Sequence, residues 1–294
     1  MMIFTGSAVA VITPFDENLN IDYKAYDKIL DFHLANKTDA IVVCGTTGEA
    51  ATMSEEEKYE LIKYTVEKVQ GKIPVIAGTG SNNTKASEDF SKKVSEIKGL
   101  SGLLLVTPYY NKATKEGLYQ HFKTIAASTD LPIILYTVPS RTNVSIDLET
   151  VVRLAEIENI VGIKDASGDL DYTAKLVTVL PKNFGIYSGN DNLTLPMLAL
   201  GIDGSISVFA NIMPRENHDI YEYFKNGNSD KARDLHLKNF DLIKDLFTEV
   251  NPVPVKAASS LMGLCQNELR LPLTRATDST LEILEKHLKE FNLC

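Results

Sequence analysis

The chain has 294 residues, 44% of them hydrophobic and 23% charged, enough to bury a large core at the upper end of what one domain accommodates. Lys and Arg number 30 against 39 Asp and Glu, and the resulting net charge of -9 repels phosphate backbones and anionic lipid, which excludes nucleic acid and membrane surfaces as partners. The three cysteines (Cys44, Cys265, Cys294) are odd in number and far apart, which suits reduced thiols in a cytoplasmic protein better than a disulfide framework.

The opening MMIFTGSAVAVITPF is apolar, and its Ala-Val-Ala matches a small-residue cleavage pattern. It lacks a basic leading region and its apolar stretch is short, so it reads as a first strand and not as a secretory signal. No uncharged run reaches the roughly 18 residues of a membrane span. Apolar, β-branched runs then recur: AVAVITP from 8, AIVVCG from 40, PVIAGTG from 74, GLLLVTP from 102, PIILYTVP from 132, IVGIK from 160, FGIYSG from 184 and GSISVF from 204. Their starts lie roughly 20 to 35 residues apart, room for one crossover helix in each gap, as parallel βαβ units require. The best marked of these helices is SEEEKYELIKYTVEKVQG, where Ser54 and Glu57 form a capping box and Gly71 stands at the expected C-cap. Eight such runs predict a (β/α)8 barrel over residues 1–224, with strands apolar throughout because both faces are covered. After Arg215 only helical patterns follow: RENHDIYEYFKNG, SDKARDLHLKNFDLIKDLFTEV, VPVKAASSLMG and DSTLEILEKHLKEF. Residues 225–294 therefore read as a C-terminal helical domain.

Barrel active sites lie at the C-terminal ends of the strands. There the sixth run ends in Lys164. By strand parity Ile160, Gly162 and Lys164 share one face. If that face is the barrel interior, the ammonium is costly to bury; a pKa drop of roughly 3 units from about 10.4, worth about 4 kcal/mol, yields a neutral amine able to attack carbonyls. The plain alternative is a strand-end lysine paired with Asp165 at the rim. Tyr136 on the neighbouring run shares a face with Ile134 and points the same way, where a phenol can shuttle protons; alone it is also an ordinary core-boundary aromatic. Arg141, in the loop that follows, has the planar fork that grips a carboxylate. CGTTGE after the second run offers N–H groups and the hydroxyls of Thr46 and Thr47, either an anion cradle or a tight strand-to-helix turn. GTGSNN lacks the third glycine of a dinucleotide motif, and the five histidines show no metal-ligand spacing, so neither a nucleotide cofactor nor a metal is indicated.

CGTTGE, VTPYYNKATKEGLYQHF, YTVPSRT, IVGIKDASG, YSGND and NPVPVK, in that order along the whole chain, resemble the dihydrodipicolinate synthase family. The resemblance implies a cofactor-free aldolase-type condensation of pyruvate with L-aspartate 4-semialdehyde, a step of diaminopimelate and lysine biosynthesis. It implies that Lys164 forms the Schiff base, that Tyr136 shuttles the proton with Thr47 hydrogen-bonded to it, and that Tyr110 enters a neighbouring subunit's site. Thr46 and Thr47 then hold the pyruvate carboxylate and Arg141 that of the aldehyde, while the main-chain carbonyls of Gly189 and Ile206 line the pocket. A homo-oligomer, in the form of a tetramer built as a dimer of dimers, is also implied.

The chain departs from the family pattern at Thr137, where Asn is usual, and at Asp203 and Ser205 before Ile206. Lysine-inhibited members carry histidines and an acid at the positions of Glu55, Lys58 and Ala86, which implies weak or absent feedback by lysine, testable by a lysine titration of the activity. The sibling reading is N-acetylneuraminate lyase, against which Arg141 argues because a sugar aldehyde has no carboxylate. A non-catalytic keto-acid-binding barrel is the reading from another class.

Overall fold

The structure, a computed structural model, describes residues 2–294. Eight strands pair in parallel in chain order: β1 (Gly6–Ala10), β2 (Ala40–Val43), β3 (Val75–Gly78), β4 (Gly102–Val106), β5 (Ile133–Thr137), β6 (Ile160–Asp165), β7 (Gly185–Ser188) and β8 (Gly204–Ser207). Pairing of β8 with β1 closes the sheet into a barrel. Seven strands fall on the apolar runs and β1 overlaps its run at residues 8–10, having begun two residues earlier at Gly6, since a strand covered on both faces shows no polar alternation.

Two apolar layers result. Inward side chains, among them Ala8, Ala10, Val42, Ile76, Ile134 and Ile206, fill the barrel. Outward ones, such as Val9, Ile41, Leu103 and Ile163, pack beneath the helices. The β5–β6 register shifts after Ile133, which opposes Ile160, whereas Ile134 opposes Gly162. This bulge overrides strict alternation. Ile160 therefore joins the outer layer and does not share the face of Gly162 and Lys164, as parity alone predicted.

The helix Glu55–Val69 starts with the capping box expected from Ser54 and Glu57, each side chain bonded to the other's main-chain N–H. Its C-cap is Gln70, in the left-handed region at φ 54°, one residue before the expected Gly71, which is itself at φ 71°. Reversal here takes two consecutive left-handed residues, and only the second is glycine. The segment 229–245 is split into Ser229–Lys238 and Phe240–Asp245 at Asn239, whose side chain donates to the Leu235 carbonyl and competes with the helical ladder.

The predicted boundary at 224/225 falls in the last turn of the helix Pro214–Lys225. That helix is tied to the barrel by Asn217, which donates to the hydroxyls of Ser7 and Ser205, and by His218, 2.9 Å from Asp39. Ser205 thus faces the helical layer. Asp203 accepts from the Ile186 N–H, and its carbonyl from Gly6. Both departures act at the N-terminal ends of the strands, away from the side where barrels place their chemistry. Thr137 is buried with its hydroxyl on the Ile146 N–H, facing away from Tyr136 as parity requires.

Candidate active site

At the C-terminal ends of the strands a cavity of about 410 Å³ opens, within the usual range for small-molecule sites. Thr46, Tyr109, Tyr136 and Arg141 line it, together with Glu55 and Lys58 at its outer end. Lys164 is not among the lining residues; it is 5% exposed, beside the lining Tyr136 in register, with Nζ 4.4 Å from the centre of the Tyr136 ring. The alternative pairing with Asp165 is not realised: that carboxylate accepts from the Ser167 N–H and the Thr173 hydroxyl on the far side of the strand.

Burial pushes the Lys164 amine down to about 8. The buried carboxylate of Asp191 works against this and the Arg141 charge works with it. Asp191 accepts from the N–H groups of Val208 and Phe209, which hold its carboxylate in place while burial raises its pKa.

The floor under Lys164 is aromatic. Gly162 opposes Gly185, and a Cβ on Gly185 would stand 2.6 Å from the Tyr187 hydroxyl, so the ring of Tyr187 occupies the space the two glycines leave. Tyr187 stacks on Phe4 and donates to its carbonyl at 2.8 Å. Gly189 lies against the lysine stem: a Cβ there would come within 2.9 Å of Lys164 Cε and 2.7 Å of Ala166 Cβ. Gly189→Ala is therefore expected to fold and to lose activity, roughly 10²-fold for a displacement near 1 Å, as kcat/KM beside a melting curve would reveal. Wild-type turnover in that variant would mean the amine tolerates the shift.

Tyr136 has its pKa raised by burial, with the Arg141 charge and the nearby Thr46 hydroxyl opposing. Thr46 thus lies near the phenol, while the Thr47 hydroxyl has its bond to Asn251. Thr46 lines the cavity, and Thr47, the next residue, is buried and accepts from Asn251 Nδ2 at 3.0 Å. Arg141 Nη2 donates to the Asn251 main-chain carbonyl at 2.9 Å. Asn251 was missed, although NPVPVK drew notice as a motif, because nothing local ties it to strand ends over a hundred residues away.

Beneath the turn, the Glu49 carboxylate pairs with Lys256, both side chains fully buried, and accepts from the Arg270 N–H. Lys256 Nζ and Arg270 Cζ each sit 4.4 Å from the Phe15 ring centre. Ile206 is fully buried in the interior layer. Tyr110 stands apart from all of these, 85% exposed, with φ 78°, a costly conformation for a bulky residue. Among the described residues no group of three or more His, Cys, Asp or Glu could hold a metal, and no helix is long and apolar enough to cross a membrane.

The model of the Dihydrodipicolinate synthetase family matches residues 3–291. The chain belongs to that family. It is 49% identical over 293 residues to the 4-hydroxy-tetrahydrodipicolinate synthase of Caldicellulosiruptor bescii, covering 100% of this chain and 99% of that one. Among solved structures, the dihydrodipicolinate synthase of Aquifex aeolicus superposes with a TM-score of 0.96 at 46% identity, with 99% of each chain covered. The chloride-inhibited dihydrodipicolinate synthase of Acinetobacter baumannii, solved with pyruvate, gives 0.96 at 43% identity, again covering 99% of each. Family membership thus extends over the barrel and the helices that follow it.

Proposed function

We propose that this chain condenses pyruvate with L-aspartate 4-semialdehyde to 4-hydroxy-tetrahydrodipicolinate, on the route to diaminopimelate and lysine. The observation that carries the reading is a buried amine, brought down to about 8 and set beside a buried phenol, in a barrel of this family. Neutral Lys164 attacks the pyruvate carbonyl carbon; the carbinolamine loses water to give an imine, and loss of a methyl proton gives an enamine. The enamine carbon then attacks the aldehyde, and the amino group carried by the semialdehyde displaces Lys164 from the imine carbon, which closes the six-membered ring, frees the lysine and leaves one water released overall. Every one of these steps moves a proton, which Tyr136 carries with Thr46 as its partner.

Thr46 and Thr47 hold the pyruvate carboxylate, Arg141 that of the aldehyde, and the carbonyls of Gly189 and Ile206 line the reacting end. Tyr110, solvent-exposed and strained in the single chain, completes the relay of a neighbouring copy, so the working form is a homo-oligomer assembled as a tetramer in the cytoplasm. The C-terminal helices from 225 onward form the smaller unit of each subunit.

The test is pyruvate consumption by the purified protein with L-aspartate 4-semialdehyde, run beside N-acetylmannosamine. Consumption with the semialdehyde alone is the expected result. Consumption only with the amino sugar would move the chain to the sibling lyases, and none with either would leave a keto-acid-binding barrel.

A further inference from the structure

Asn251 touches both groups that handle substrate carboxylates, and it does so with different atoms. Its main-chain carbonyl accepts from Arg141 Nη2 at 2.9 Å, and its side-chain Nδ2 donates to Thr47 Oγ1 at 3.0 Å. A threonine hydroxyl owns one proton. When it accepts from an amide, that proton is left to donate elsewhere. Asn251 is the one hydrogen-bond partner of the Thr47 hydroxyl among the described residues, and Thr47 is 2% exposed, so its donor has no protein acceptor and no ready access to water. Asn251 is likewise 6% exposed, and its Oδ1 is buried without a partner. The fold thus leaves an amide acceptor unsatisfied while it turns the amide donor onto Thr47.

We propose that Asn251 is a positioning residue that sets the direction in which Thr47 donates, holding its O–H proton available for the carboxylate of the keto acid. The inference rests on the reading of pyruvate as substrate. It places part of the substrate selection in the C-terminal region, on a residue 204 positions away from the hydroxyl it orients.

Asn251→Asp separates this role from a structural one. The replacement has nearly the same shape, but a carboxylate only accepts, so the Thr47 proton turns toward it and the keto acid loses its donor. The KM for pyruvate is expected to rise about 10- to 100-fold, the range of one hydrogen bond to a charged group. The KM for the semialdehyde stays at the wild-type value, because Arg141 bonds to the main-chain carbonyl. In a Thr47→Val background the Asp substitution should raise the pyruvate KM no further.

An unchanged pyruvate KM in Asn251→Asp would mean that Thr47 donates to Asn251, and would overturn the proposal. So would a parallel rise in both KM values with a fall in melting temperature, or additivity with Thr47→Val. If the Asp variant does not fold, Asn251→Ala gives the same decision: a raised pyruvate KM supports the proposal, an unchanged or lowered one overturns it. Failure of the substrate reading itself would appear in the wild type, as the lack of a borohydride-stabilised pyruvate adduct on Lys164.

Discussion

Lys164→Met is expected to abolish turnover and, at the same time, to stabilise the protein. Burial moves the lysine from an ordinary value of 10.5 to about 8, so the folded state holds its proton less tightly than the unfolded state does. A shift of that size costs about 3 kcal/mol of stability at pH 7. The sign follows from the depressed value. Below pH 8 the cost is present in full, between 8 and 10.5 it shrinks, and above 10.5 it is gone. Methionine fills a similar volume with no charge, and Asp191 loses only the smallest of the influences that keep it ionised, since its hydrogen bonds to the Val208 and Phe209 N–H groups remain. Melting temperatures of wild type and variant should therefore differ by several degrees at pH 7 and converge toward pH 10. Incubation with pyruvate and borohydride should add mass to the wild type alone. The same pKa gives the wild-type adduct rate a rising limb, increasing about fivefold from pH 7 to 8 as the neutral fraction grows from about a tenth to about half. A Lys164→Met protein less stable at pH 7, or one that still traps pyruvate, would contradict the account.

Lys256→Met should act in the opposite direction, destabilising by about 3–5 kcal/mol, because it leaves Glu49 as an unpaired buried charge. Glu49 cannot reach water, and of its other contacts only the Arg270 N–H would still address the carboxylate directly. Glu49→Gln in the same chain removes the stranded charge, and the double variant is expected to recover most of the loss in a denaturant titration. Recovery of stability need not bring back activity. Glu49 terminates the turn that carries Thr46 and Thr47, so a shifted Glu49 moves both hydroxyls. Purely additive effects in the double variant would mean that the two side chains are not coupled.

Strand positions were legible from sequence because a strand covered on both faces is a bare apolar run, and eight of them announce a closed barrel. Lys164, Tyr136 and Arg141 were legible because each stands where such a run ends. Three features were not. The bulge that turns Ile160 outward depends on pairing with β5, which parity within one strand does not contain. Which of Thr46 and Thr47 lies near Tyr136 depends on which way a two-residue turn rotates its side chains. Asn251 and Lys256 depend on contacts across more than 200 residues, and local pattern carries no trace of them.

That last separation bears on how the protein is made. Glu49 leaves the ribosome 207 residues before the lysine that neutralises it. At ordinary synthesis rates this is a delay of about 10–40 s, during which strands β3 to β8 join the two already made. A nascent barrel can close in that interval with Glu49 and the Thr46–Thr47 turn still hydrated. That turn is then the last part of the site to set, and a chain ending before residue 251 is expected to carry Lys164 and Tyr136 without the contacts that Asn251 makes to Arg141 and Thr47.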